Sequence, residues 1–188
     1  MPSPSMNPDP TRHPLFRRYP LDGQVRLSTG SAPMPYHVYD GHGLFIGGTA
    51  DLAAARALLA PEQVHPVCNA DGQALMGVWV FDFEDASLGP HHELQFSLFV
   101  SPTEQPPVVP HALNLIELML TRPDVHMLCH GLWNSTPRAV AYNRELLGLD
   151  ARVSRSLIAD GGEHIDFAVD DLGTQETVLQ GRIHQPRR

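Results

Sequence analysis

Residues 77–100 read GVWVFDFEDASLGPHHELQFSLFV, two alternating runs joined by a Ser-Leu-Gly-Pro turn. Side chains along a strand point to opposite faces in turn. The first run (77–86) therefore sets Trp79, Phe81 and Phe83 on one face and Val78, Val80 and Asp82 on the other. The second run (92–100) sets Glu93, Gln95, Ser97 and Phe99 against Leu94, Phe96, Leu98 and Val100. This pattern predicts two strands of a hairpin, with a carboxylate delivered onto the start of the second by a Gly-Pro turn.

Outward from that hairpin, VHMLCHGLW (125–133) reads as a strand. Two more are predicted around Val153–Ala159 and His164–Val169, and a third at Thr177–Ile183. Before the hairpin, YHVYDGHGLFIGG (36–48) is a strand or two bent by glycines, and 15–35 holds a short strand at most, at Val25–Leu27. Three helices are expected. TADLAAARALLAPE (49–62) is capped by Thr49 or Asp51 and stopped by Pro61. A second lies near His111–Leu120. The third opens at Pro137, capped by Ser135 or Thr136, and ends at Gly148. The first 14 residues contain five prolines and no apolar pattern, so 1–14 is expected to be a disordered or extended arm and 15–188 a single domain. The fold class expected is α+β: a largely antiparallel sheet with about three peripheral helices.

Composition narrows the function. The chain has 188 residues, 42% hydrophobic, with a net charge of -8. No basic excess exists to neutralise phosphates, so no nucleic-acid partner is expected. No run of 18 apolar residues occurs, so no membrane span is expected, and the N-terminus lacks the apolar core of a secretory signal. Two cysteines, Cys68 and Cys129, make no disulfide framework and suit a reducing cytoplasm. All 13 basic residues are arginine. Any mechanism that needs a lysine imine, or a lysine on a phosphate, is excluded by that count.

Few segments carry chemistry. The two histidine-rich places are His91-His92-Glu93 and His126/Cys129/His130; in a strand His126 and His130 face away from Cys129. Neither C-x-x-C nor H-E-x-x-H occurs, so no metal is expected. G-x-S-x-G and phosphate-loop patterns are absent, and apolar neighbours make Cys129 an inert thiol. Glu93 stands out. On a strand facing a pocket, desolvation would raise its pKa and suit it to proton transfer; facing water beside Gln95 and Ser97, it would do nothing. Periodicity leaves both readings open. If the strand is regular, His91 shares the Glu93 face and His92 does not.

Three segments in order resemble the acetoacetate decarboxylase-like superfamily: ADLAAARALLAPEQV, DASLGPHHELQFSLFV and PRAVAYNRELLGLDAR. The first is similar to an early helix that ends at a proline. In the second, Glu93 falls on the family's pocket glutamate. In the third, Arg144, Glu145, Leu146 and Gly148 match the family's signature. The resemblance covers roughly residues 36–170 and implies a sheet curled into a cone or barrel around a pocket, in an oligomeric protein. It also exposes departures. Asp150-Ala151 stands where the family has Pro-Lys, so the imine-forming lysine is replaced by Ala151, with Arg152 following. Arginine stays protonated and forms no imine. The family's second pocket glutamate falls near Val78, and its pocket arginine near His42. The chain is also expected to lack the last strands of the family's sheet.

These readings combine into one functional expectation. The pocket is lined by Trp79, Phe81, Phe96 and Phe99, with His42 and Arg152 as further substrate-binding residues. Glu93, His91 and Arg144 are the catalytic candidates. A polyketide-like intermediate bound there would be cyclised or dehydrated by templating, with acid–base help from Glu93 and without cofactor. The alternatives are a non-catalytic small-ligand binding protein on the same fold, or a lysine-independent decarboxylase. A homo-oligomer is expected, because open sheet edges favour self-association.

Overall fold

The computed structural model describes residues 13–110 and 114–185. Twelve strands occur among them: β1 (Gly23–Leu27), β2 (Gly30–Met34), β3 (Val38–Ala50), β4 (His65–Pro66), β5 (Cys68–Asn69), β6 (Ala74–Ala86), β7 (His91–Ser101), β8 (Val108–Val109), β9 (His126–Asn134), β10 (Ala151–Asp160), β11 (His164–Asp171) and β12 (Thr177–His184). The helices are α1 (Pro14–Arg18), α2 (Leu52–Leu59), α3 (Leu115–Thr121) and α4 (Pro137–Ala141), the last continuing into a π-helical turn at Tyr142–Leu146. No described helix is long and apolar enough to cross a membrane.

The predicted hairpin is the centre of the sheet. β6 and β7 pair antiparallel, Phe81 opposite Glu93 and Val80 opposite Leu94. The main sheet runs β12-β11-β10-β9-β7-β6-β5-β8, with β3 also on β6 and β4 also on β7. β9 and β10 are parallel, which requires a crossover, and α4 supplies it. The sheet is open: among the described residues no ladder joins its ends, so the barrel form of the expected architecture is not closed.

Alternation decides what each face covers. The even-numbered side chains of β6 and β7 (Val78, Val80, Leu94) pack with Phe167 and Val169 of β11; Leu44 and Ile46 of β3 and Val178, Leu179 and Ile183 of β12 join the same cluster. β3, β6 and β7 thus share one apolar cluster with β11 and β12. Farther along this face, Ala55 and Leu59 of α2 cover Ala74, Leu98 and Val100. The opposite, odd-numbered face is covered at one end by Leu115 of α3 over Leu75 and Phe99. Its other end carries the β1–β2 hairpin, Ala141 and Tyr142. Between those covers lies a row of half-buried aromatics: Phe45 to Trp79 (4.3 Å between ring centroids), Trp79 to Phe81 (5.6 Å) and Phe81 to Phe83 (5.2 Å).

Glycines make room for that row. Phe81 lies over Gly43, its cross-strand partner, so closely that a Cβ would overlap the ring. A Cβ on buried Gly77 would stand 2.6 Å from Phe45 and 3.2 Å from Phe99. Gly77→Val is therefore expected to overpack the sheet and cost about 1–3 kcal/mol. Urea unfolding should show a lower midpoint at an unchanged slope; an unaltered midpoint would refute the packing argument.

Local signals worked where chemistry is local. Asp51, rather than Thr49, caps α2, its Oδ1 accepting from Ala54 N at 2.7 Å. Thr136 caps α4, while Ser135 instead accepts from His92 N. Gly148 sits at φ +72°, the left-handed conformation expected after the helix. The second helix is described from Leu115; residues 111–113 of its expected span lie outside the described residues. Of the expected arm, residues 1–12 also lie outside them, and Pro14 opens α1. α1 and β2 had no periodicity to announce them: α1 is one proline-started turn, and β2 is held to β1 by its hairpin pairing.

Candidate functional site

Glu93 is the third residue of β7, half-buried on the odd-numbered face, between Phe81 on β6 and Asn134 on β9. Its neighbours in this plane determine its state. Asn134 Nδ2 donates to Glu93 Oε2 at 2.9 Å. Asn143 Nδ2 in turn donates to Asn134 Oδ1 at 3.0 Å. Asn134 is fully buried and Asn143 nearly so. Burial pushes the Glu93 carboxyl above the ordinary glutamate value, and the two amides pull it back without cancelling the rise. A carboxyl raised in this way holds its proton to higher pH than an exposed glutamate, the direction that suits a group for proton transfer.

The π turn places Asn143. A π turn widens the helix by one residue and re-aims the side chains around it, and such turns are common at functional sites. Here it turns Asn143 inward and leaves Arg144 and Glu145 outside. Glu145 accepts from the backbone N–H of Ser28 at 2.9 Å and from the Ser28 hydroxyl, which holds its carboxyl below the usual range. The family-like signature residues Arg144, Glu145 and Leu146 thus sit on the segment that fastens the β1–β2 hairpin beside Glu93.

Two other groups feel the Glu93 charge. Tyr36 is pushed up to about 12, first by burial and then by Glu93 and Tyr142; its ring meets Tyr142 edge-on at 5.2 Å. Its hydroxyl keeps its proton at any physiological pH. Cys129 is pushed up to about 11 by burial and by Glu93, so it stays a thiol. A thiol of that kind is a poor nucleophile.

The remaining sequence candidates divide by face. His91 shares the Glu93 face and is buried against Phe83, 4.9 Å between rings. Its Nδ1 lies 2.8 Å from the Gly89 carbonyl, which can only accept, so Nδ1 carries the proton and Nε2 the lone pair. Burial lowers the His91 pKa, so this ring is neutral at pH 7. Trp79 and Phe81 belong to the aromatic row of the same face, and Trp79 Nε1 donates to Met127 Sδ at 2.9 Å. Phe99 is also on that face but wholly buried in the α3 core. Phe96 points the other way, edge-on to Trp133 at 5.8 Å. Arg152 too is on the far side: it lies over the Trp133 ring and pairs with Asp150 at 2.9 Å and Asp171 at 3.7 Å. His42 stands beside Glu84 at 3.0 Å, across from Asp82 on the even-numbered face. Arg144 is exposed and has no ion pair among the described residues. The structure therefore gathers Glu93, His91, Trp79 and Phe81 on one face, and leaves Phe96, Arg152 and His42 off it.

Sequence reasoning missed Asn134, Asn143 and Tyr36. Asn143 had a signal: it follows Ala139–Tyr142, all buried, so a polar residue there must find an internal partner. Asn134 had less, because a bulge between Phe96 and Ser97 shifts the β7–β9 register.

Ala151 opens β10, buried and paired with Leu132, which is itself opposite Gln95. It therefore shares the Glu93 face, two strands away, or about 10 Å by strand spacing.

The geometry defines a class: an α+β protein whose open sheet carries a partly buried carboxyl, Glu93, held by an amide relay beside an aromatic row. Comparison with known proteins gives that class its fold. No family model matches the chain, and no curated protein sequence does. Among solved structures, it is similar to acetoacetate decarboxylase from Legionella pneumophila with a TM-score of 0.64 and 10% identity, over 100% of this chain and 62% of that one. A second structure of acetoacetate decarboxylase gives a TM-score of 0.58 and 16% identity, over 80% of this chain and 51% of that one. The chain has the acetoacetate decarboxylase-like fold, and spans between half and two thirds of the length of the proteins it matches.

Proposed function

We propose that this chain is a lysine-independent enzyme that cyclises or dehydrates a small, oxygenated, polyketide-like substrate on the odd-numbered face, with Glu93 as the acid–base group. The observation that carries the reading is the Glu93–Asn134–Asn143 relay beside the aromatic row. A carboxyl raised by burial takes an α-proton from a 1,3-dicarbonyl unit when ionised, and protonates a departing hydroxyl when neutral. The amide of Asn134 holds the carboxyl in one orientation through both states. Trp79, Phe81 and Phe83 offer flat apolar surface on which an extended chain folds, and such folding lowers the barrier to ring closure by proximity. The reading includes a cone-like enclosure of that face, a homo-oligomer and a cytoplasmic setting.

The test is α-proton exchange. A 1,3-diketone or β-keto thioester incubated with the protein in D2O should exchange its α-hydrogens faster than in buffer. A β-hydroxy ketone should lose water. No acceleration of either at substrate saturation would leave a binding protein, not an enzyme.

Imine chemistry is expected to be absent, because no side-chain amine exists in the sequence. Borohydride reduction in the presence of a β-keto acid should leave residues 36–170 unmodified by peptide mass. An adduct within that range would overturn the argument.

A further inference from the structure

On the even-numbered face, three donors from two strands converge. His42 of β3 stands opposite Asp82 of β6, and Glu84 lies two residues on from Asp82. One ligand atom from each lies within 4.8 Å of the others. We propose that His42, Asp82 and Glu84 form a binding site for a divalent transition-metal cation, with zinc as the representative ion.

The spacing fits such an ion. Ligand atoms at about 2.0–2.1 Å from zinc in tetrahedral geometry are about 3.3 Å apart. His42 Nδ1 and Glu84 Oε1 are already 3.0 Å apart, so small side-chain rotations close the set on a metal. The register makes this convergence. It slips between Asp40 and His42, so two steps on β3 match three on β6. A bulge of this kind re-aims side chains, and here it brings Glu84 as well as Asp82 beside His42. Gly41 lies within the slip, where a Cβ would overlap the Asp82 carbonyl.

A supporting partner stands behind the set. His92 Nε2 lies 3.4 Å from Asp82 Oδ1, and His92 Nδ1 lies 3.0 Å from Ser156 Oγ on β10. Metal-binding carboxylates are commonly oriented by such outer hydrogen-bonding groups. One imidazole and two carboxylates select zinc-like ions over calcium, which wants six to eight oxygens. Three protein ligands also leave a position for water or an added ligand. The two carboxylates give the set a negative charge, which favours a cation. Among the described residues β3 pairs only with β6, so the ion would pin an edge strand. The site lies across the sheet from Glu93, and its test is independent of the proposed reaction.

The experiment is a titration of the full chain with Zn²⁺ in competition with a chromophoric chelator. One equivalent is expected to bind, with a rise in melting temperature that follows mass action. His42→Ala and Glu84→Gln should each weaken that binding at least tenfold; the Glu84 side chain is 54% exposed, so its change leaves the fold intact. A Cys68→Ser/Cys129→Ser double variant and a His126→Ala/His130→Ala double variant should bind as the parent does. Parent-like binding by both His42→Ala and Glu84→Gln would overturn the assignment. So would uptake of less than one equivalent at 100 µM (about the weakest affinity of interest), or loss of binding in either control variant.

Discussion

Glu93→Gln is expected to lower catalysed α-proton exchange by about 10²–10⁴-fold while leaving the fold and the affinity for a diketone nearly unchanged. Glutamine keeps the shape and can still accept the Asn134 amide hydrogen, so the relay survives while the proton carrier is lost. The same variant has a signed effect on stability. Burial raises the Glu93 pKa in the folded chain, so the folded state favours the protonated acid. The stabilisation that the protonated group contributes is full below the ordinary glutamate value, and is lost as pH rises through the folded value. Glu93→Gln should therefore gain stability relative to the parent as pH climbs above the ordinary value, with the difference levelling off beyond the folded pKa. Parallel melting curves of parent and variant across pH 4–9 (a span chosen to bracket the usual carboxylate range) measure it. A pH-independent difference would mean that the carboxyl is not buried as described. Normal turnover with the predicted stability change would remove the acid–base role and leave binding or templating.

Phe99→Ala is expected to cost about 3–5 kcal/mol. Phe99 is wholly buried with Val67, Leu75, Val109, Leu115 and Val125, and its loss opens a cavity under α3. For a domain of this size that is a fall in melting temperature on the order of 10 °C. Phe81→Ala is the informative contrast. Phe81 is half-buried in the aromatic row, so its removal should cost about 1–2 kcal/mol yet weaken ligand binding. The pair separates a core aromatic from a site aromatic, two roles that alternation alone placed together. Equal stability losses in the two variants would refute that separation.

The legibility of this chain follows from the range of the forces involved. Period-two alternation is written in adjacent residues, so strands over 77–86 and 92–100 and their two faces could be read directly; the observed strands extend to 74–86 and 91–101. Helix caps are equally local, though which of two neighbours caps, Thr49 or Asp51, depends on where the chain turns. The Glu93 candidate was legible because it is the one carboxylate in 91–101, set just after the Gly-Pro turn; which way it faced was not. Phe96 shows the limit. Its alternation already set it opposite Glu93, and only knowledge of which face packs against β11 and β12 shows that it serves a core. The partners of Glu93 were less legible still, since Asn134 and Asn143 lie 41 and 50 residues beyond it, and a bulge in the β7–β9 ladder and a π turn decide their registry.

By itself, then, the sequence determined the α+β class, the central hairpin, the lack of any lysine in these 188 residues and the candidate carboxyl Glu93. These are properties of composition and of neighbours within a few residues. The tertiary structure alone decided that Asn134 and Asn143 hold Glu93, that Arg152 and His42 stand behind the sheet from it, and that His42 meets Asp82 and Glu84. Each of those depends on strand order and register, and a shift of one residue in register moves a side chain to the other face.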